Sequence, residues 1–99
     1  MIVSSVRARI VRDTPAALLW AQEIADWVKG KTGSEVEVMV RIGATQDVVW
    51  SQRFADLAAY GENLDAIQAD PEYHAKVHAA QDAGLFAAGS VEGGIWRVL

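Results

Sequence analysis

The segment DVVWSQRFADLAAYGENLDAIQADPEYHAKVHAAQDAGLF, residues 47–86, decides how the chain folds. Apolar and polar side chains alternate over residues 48–54, which predicts a strand. Asp56 then begins a long amphipathic helix, whose apolar stripe is Leu57, Tyr60, Leu64 and Ile67. Asp70-Pro71-Glu72 is a second helix start inside that pattern, so the helix is predicted to be two pieces or one kinked piece, ending near Gly84.

A strand and a helix are predicted before this segment. Residues 2–12 alternate with period two, which indicates a strand. Thr14 is the predicted N-cap of the following helix and Pro15 its first residue, because proline lacks a donor that would be unsatisfied there anyway. Lys29-Gly30-Lys31 is the predicted helix end, since glycine accepts a left-handed cap and lysines suit the negative end of the helix dipole.

The remaining elements are all strands. Residues 35–42 alternate cleanly, and residues 43–47 form a short hairpin connection to the strand at 48–54. Residues 91–99 form a last strand, in which Gly93-Gly94 indicates a bulge or a close backbone approach. The order strand, helix, strand, strand, helix, strand predicts an α+β fold: a ferredoxin-like β-α-β-β-α-β domain over residues 1–99, with both helices on one face of an antiparallel sheet.

Composition excludes several classes of function. The 99 residues include no cysteine, which excludes a disulfide framework, a thiolate zinc site and a cysteine nucleophile. The net charge of −4 argues against nucleic acid as a partner, because phosphate binding needs clustered Lys and Arg. No apolar run is long enough to span a membrane and no export signal is visible, so a cytoplasmic protein with no membrane partner is expected.

The two predicted helices can cover only one face of the sheet, so the other face is left uncovered. It carries mixed charge and some apolar side chains: Ser5, Arg7, Arg9, Glu35, Glu37, Met39, Arg41, Val49, Ser51 and Arg53. Antiparallel sheets tolerate a solvated face. The alternative is a second copy of the chain, with arginines and glutamates pairing across a twofold axis.

The segments VVWSQRFADLAAYGENLDAIQADPEYHAKVHAA and GSVEGGIWRVL resemble the dimeric α+β barrel superfamily, in particular its NIPSNAP-like and antibiotic-biosynthesis-monooxygenase-like branches. The resemblance implies a homodimer in which two ferredoxin-like subunits press their sheets together. Here that face would be the one bearing Arg7, Arg9, Glu37, Arg41 and Arg53. These branches include cofactor-free oxygenases, haem-degrading enzymes and proteins without a known activity, so the fold alone does not supply the chemistry.

His74 and His78 are candidate functional residues because their i, i+4 spacing puts them on one helix face. A zinc site needs a third ligand and no HExxH pattern is present, so no metal is expected. If the helix runs straight through Pro71, His78 faces the sheet. If it restarts there, Tyr73, Val77 and Ala80 form the buried stripe and the histidines face solvent.

The resemblance also raises haem. In haem-degrading members a histidine on the second helix binds iron, assisted by an asparagine on the first strand and a tryptophan earlier on that helix. This chain has neither the asparagine nor the tryptophan, so haem degradation is not expected and no cofactor is assigned. Haem binding through a helix-two histidine remains an alternative.

The predicted site is a pocket between helices and sheet for a small apolar or aromatic molecule. Its substrate-binding residues are predicted to be Trp50, Gln52, Trp20, Trp27 and His74. Cofactor-independent oxygenation would use Tyr60 and His78 as the catalytic residues, orienting a phenol or polarising oxygen. The competing interpretation is a non-catalytic binding or interaction module, in which the aromatic residues are only core.

Overall fold

The computed structural model describes residues 1–43 and 45–99. Its elements are β1 (Ile2–Arg9), α1 (Thr14–Thr32), β2 (Glu37–Val40), β3 (Asp47–Phe54), α2 (Leu57–Gln68), α3 (Pro71–Asp82) and β4 (Glu92–Arg97). The strands pair antiparallel in the order β2-β3-β1-β4. The predicted α+β ferredoxin-like fold is confirmed, with the second helix divided into α2 and α3. Within the described residues no helix has the length and apolar character needed to cross a bilayer.

Three strands are shorter than predicted. β1 ends at Arg9, and Ile10 forms only an isolated bridge to Phe86. β2 is limited to Glu37–Val40, because Glu35 is drawn towards α1 by an ion pair with Lys29 at 2.7 Å. β4 is limited to Glu92–Arg97. The predicted hairpin connection at residues 43–47 includes Ala44, which lies outside the described residues.

Both predicted ends of α1 are wrong. The N-cap is Asp13, whose carboxylate accepts a hydrogen bond from the backbone N–H of Ala16 at 3.2 Å. At the other end the helix runs past Gly30 to Thr32, and Gly33 supplies the left-handed cap with φ of 75°. The extra half-turn is held by the Gly33 N–H donating to the carbonyl of Lys29 at 2.8 Å.

The helix after β3 restarts at Pro71, as the two-piece alternative predicted. Asp70 is the N-cap of α3 and accepts from the backbone N–H of Glu72 at 2.9 Å. Lys31 of α1 lies 2.9 Å from the same carboxylate. The Lys31 ammonium and then the Glu72 N–H hold the pKa of Asp70 below its ordinary value, so this junction ties α1 to the start of α3.

The core lies between α1 and the middle of the sheet. Ala17 and Ala21 of α1 pack with Ala8 of β1 and Val48 of β3, all within 2% of complete burial. Small side chains at these positions let the helix lie close to the two central strands. The larger side chains of α1 and β3 that lie next to this contact therefore line the space beside it.

We expect Val48→Ala to lower the free energy of unfolding by about 2 kcal/mol, because it leaves a small void against Ala17 and Ala21. Urea denaturation of the variant measures the loss. Val49→Ala is the matched control: its side chain lies on the opposite sheet face and is only half-buried, so its loss should be smaller. Equal losses in the two variants would contradict this description of the core.

Candidate ligand-binding cavity

A cavity of about 370 Å³ lies between the helices and the inner face of the sheet. Aromatic side chains form part of its wall: Trp20, Trp50, Tyr60, Tyr73 and Phe86. Aliphatic side chains form more of it, including Val6, Ile24, Val28, Val36, Leu64, Ile67, Val77 and Val91. Its polar side chains are all uncharged: Ser4, Gln52, Tyr60, Asn63, Gln68, Tyr73 and Gln81. Among the described residues, none that lines the cavity carries a formal charge at neutral pH.

Three aromatic rings make a continuous wall at one end of the cavity. The ring centroids of Trp20 and Trp50 are 6.0 Å apart, and Phe86 lies 5.5 Å from Trp20 and 6.1 Å from Trp50, all edge-on. The Trp20 indole N–H donates to the carbonyl of Lys76, and that of Trp50 to the carbonyl of Ala21. Since both indole donors are satisfied by backbone, the rings present apolar surface to the cavity.

Amide and hydroxyl groups also line the cavity. The Gln52 side-chain amide donates to the Ser34 hydroxyl at 3.2 Å, which fixes the glutamine against the end of α1. The Tyr60 ring packs edge-on against Phe54, with centroids 5.6 Å apart. Asn63 lies nearby on α2. These groups can hydrogen-bond a neutral carbonyl or hydroxyl on a bound molecule.

The sequence analysis left several of these wall residues out of the predicted site, among them Asn63 and Phe86. Asn63 follows Tyr60 by three residues and so lies on the same side of the helix. Phe86 lies in the turn after α3, outside any periodic pattern, and no local signal marks it. Its place is set by the backbone bridge to Ile10, which only the folded chain brings near.

The structure brings together Trp20, Trp50, Gln52 and Tyr60, and places the other three predicted site residues elsewhere. The Trp27 ring packs against Tyr73, with centroids 6.0 Å apart, and does not line the cavity. His74 is exposed and hydrogen-bonds through Nε2 to the carbonyl of Gln68 at 2.8 Å. His78 is exposed on α3. A functional role for these three stays a prediction.

The residues that the structure describes contain no cluster of side chains suited to bind a metal ion. No group of three or more His, Asp or Glu side chains there lies close enough to share an ion. The two histidines are on the solvent side of α3, because its inward stripe is Tyr73, Val77 and Ala80. The restart of the helix at Pro71 is the reason.

The outer sheet face holds a charged cluster and a tryptophan that the sequence analysis did not place. The Asp47 side chain is only 6% exposed, and its carboxylate lies 3.6 Å from Arg9 Nε and 3.7 Å from Arg41 Nη1. Trp96 on β4 is 62% exposed and donates from its indole N–H to the Ser5 hydroxyl. Its ring lies over Gly94, where a Cβ would meet Trp96 Nε1 at 3.0 Å. The sequence predicted a bulge or a close backbone approach at Gly93-Gly94, but the strand pairs there in regular register and what approaches Gly94 is the Trp96 side chain.

Comparison with known proteins shows the fold. A NIPSNAP domain protein from Burkholderia xenovorans has a TM-score of 0.78 and 16% identity, over 100% of this chain and 95% of that one. The cofactor-independent oxygenase SnoaB from Streptomyces nogalater has a TM-score of 0.72 and 13% identity, over 98% of this chain and 91% of that one. An antibiotic biosynthesis monooxygenase has a TM-score of 0.73 and 11% identity, over 100% of this chain and 99% of that one. The predicted resemblance to these branches is confirmed at the level of the fold.

Sequence comparison gives a different kind of match. No protein-family model matches the chain. The large ribosomal subunit protein bL9 of Caulobacter sp. (strain K31) is 39% identical over 87 residues. That match takes in 88% of this chain but spans only 41% of the length of the ribosomal protein.

Burial raises the pKa of the Tyr73 phenol above its ordinary value of 10.0. Its ionised form is therefore disfavoured in the folded chain, whereas the unfolded chain ionises near 10.0. Because the unfolded state then binds fewer protons, stability falls as pH rises past that value. We expect Tyr73→Phe not to show this loss. Its free energy of unfolding should therefore rise relative to that of the wild type between about pH 9 and pH 11.

Urea unfolding of both proteins at a series of pH values measures the difference. Below about pH 8 the difference should be constant, which serves as the internal control. A difference that stays constant up to pH 11 would show that Tyr73 is not shielded from water by the cavity wall.

Proposed function

We propose that the chain binds a small molecule with an apolar or aromatic body in the cavity between its helices and its sheet. The observation that carries this proposal is the cavity itself, about 370 Å³ with a wall of three aromatic rings and neutral polar groups. Its volume lies in the range of small-molecule sites, roughly 300–1,000 Å³. Apolar burial would supply most of the binding free energy, and Gln52, Tyr60 and Asn63 would orient the ligand.

The catalytic form of this proposal is cofactor-independent oxygenation of a phenol-like ligand, with Tyr60 as the hydrogen-bonding group in the cavity. Its support is the fold shared with SnoaB. Such chemistry requires stabilisation of a substrate anion, and the described lining offers only neutral donors for that purpose. His78, the second predicted catalytic residue, is exposed on α3. The geometry therefore supports binding more directly than catalysis.

The ribosomal match suggests association with a ribosome, which is a weaker proposal for this chain. The net charge is −4. On the outer face Arg7 pairs with Glu92, while Arg9 and Arg41 flank the buried Asp47. Arginines engaged in this way offer little free positive charge to phosphate groups.

Filling the cavity tests the binding proposal. We expect wild-type protein to bind 2-naphthol, and Val77→Trp to weaken that binding about tenfold or more, because the half-buried Val77 lines the cavity. Isothermal titration calorimetry measures both constants. The matched control is Ala79→Trp, which adds the same indole two residues further on at an exposed position outside the cavity lining.

The control variant should bind as the wild type does. Equal weakening in the two variants would place the ligand outside the cavity. Absence of binding by the wild type would leave the aromatic residues as core only and would support the non-catalytic alternative without a ligand.

We further propose that two copies of the chain pair through their outer sheet faces, which bear Arg7, Arg9, Glu37 and Arg41, with Arg53 at the margin of the paired surface beside the end of β3. The apolar side chains on that face support the pairing: Met39 is 44% exposed and Trp96 is 62% exposed. Charges of both signs allow self-complementary pairing about a twofold axis, and the superfamily resemblance implies the same arrangement. A paired sheet would also cover the buried Asp47 cluster more completely.

Sedimentation velocity at about 10 µM should report twice the mass of one chain. We expect Trp96→Ala to raise the dimer dissociation constant about tenfold or more, because a large aromatic residue that becomes buried in an interface often contributes about 2 kcal/mol to it. Leu19→Ala removes a similarly exposed apolar side chain from α1 and should leave the dimer intact. A wild-type monomer at this concentration would overturn the pairing.

A further inference from the structure

A second space adjoins the ligand cavity. It is an open groove of about 450 Å³ between the loop after α1, the end of β3 and the first turns of α2. Its lining includes Thr32, Ser34, Arg53, Phe54, Glu62 and Asn63. None of the sequence-predicted site residues belongs to it.

The groove and the cavity share side chains along their boundary. Asn63 lines both spaces. Ser34 of the groove accepts the hydrogen bond from Gln52 of the cavity, and Phe54 of the groove packs edge-on against Tyr60 of the cavity. The boundary between the two spaces is thus formed by polar and aromatic side chains around Asn63.

Charge distinguishes the two spaces. No charged side chain of the described residues lines the cavity, whereas the groove carries Arg53 and Glu62. Within the described part of the chain, neither of these two forms an ion pair. Arg53 contacts only the sulfur of Met1 through its guanidinium, at 3.6 Å. β2 begins at Glu37, opposite Ser51, so the end of β3 has no β2 partner and leaves Arg53 at the margin of the sheet beside the groove.

In the lining of the groove, side chains that can donate a hydrogen bond to an anion outnumber the carboxylates that would repel one. The Arg53 guanidinium offers parallel N–H groups that match a carboxylate, and the Asn63 amide and Ser34 hydroxyl are further donors. Glu62 is the single carboxylate in the lining and would oppose an anion there. These two charges together would set the preference of the groove for the end group of a ligand.

We propose that the ligand is an amphipathic carboxylate, whose apolar or aromatic body fills the cavity and whose short chain passes Asn63 to place the carboxylate at Arg53. This inference rests on the proposed binding function and adds the chemical class of the ligand. The body satisfies the neutral cavity, while the end group supplies the counter-charge that Arg53 lacks in the free chain.

The test compares 4-(2-naphthyl)butanoate with its methyl ester by isothermal titration calorimetry. Wild-type protein should bind both, and the carboxylate more tightly. Arg53→Gln should weaken the carboxylate about tenfold and leave the ester unchanged, because only the charged end group loses its partner. Glu62→Gln should tighten the carboxylate about two- to threefold, because a like charge is removed. Arg97→Gln, at an exposed arginine on β4, is the control and should change neither constant.

Each other outcome overturns the inference. If Arg53→Gln leaves binding of the carboxylate unchanged, or weakens binding of the ester equally, the groove does not recognise the end group of the ligand. If 4-(2-naphthyl)butylamine binds more tightly than the carboxylate, Glu62 selects the ligand instead. In these cases the ester still binds, so the proposed function survives. Failure of the wild type to bind any of the three molecules overturns both proposals.

Discussion

The contact of Ala17 and Ala21 with Ala8 and Val48 is the constraint on which the rest of the structure depends. These four small side chains are almost completely buried at the centre of the molecule. They fix α1 over the two central strands, so that Ala8 lies at the edge of the cavity while Ala17 and Ala21 do not line it. Space remains only to the side of this contact, where the larger side chains of α1 and β3 meet α2 and α3. The cavity is therefore a consequence of where the small residues lie.

The chemistry of the cavity follows from the same arrangement. Trp20 and Trp50 flank the alanine contact, and each uses its indole N–H to bind a helix carbonyl, so their rings act as rigid apolar walls. The polar groups that remain are neutral amides and hydroxyls. A ligand here gains free energy from burial and is oriented by a few hydrogen bonds, which distinguishes this site from one built to hold a metal or to stabilise an anion.

The two sheet faces differ because the helices cover only one of them. On the outer face Asp47 is desolvated beneath Arg9 and Arg41, and Trp96 extends over Gly94 into solvent. Proteins of this fold include both a cofactor-independent oxygenase and a NIPSNAP domain protein, so the fold by itself does not specify a reaction.

The sequence by itself determined the element order, the ferredoxin-like fold and the break at Pro71, because these depend on local alternation, helical periodicity and capping. It also identified Trp20, Trp50, Gln52 and Tyr60, which share the stripes that face inward. It did not choose between the two orientations of the histidines, since those differ only in helix phase after Pro71.

Only the tertiary structure decided that phase, and with it the solvent exposure of His78. The same holds for the participation of Phe86, which lies far along the chain from Trp20 and Trp50 and in no periodic element. The ends of α1 are a different case, because local caps at Asp13 and Gly33 set them, and the sequence analysis assigned those caps to neighbouring residues. Residues that meet through the fold rather than through neighbouring turns leave no pattern in the sequence.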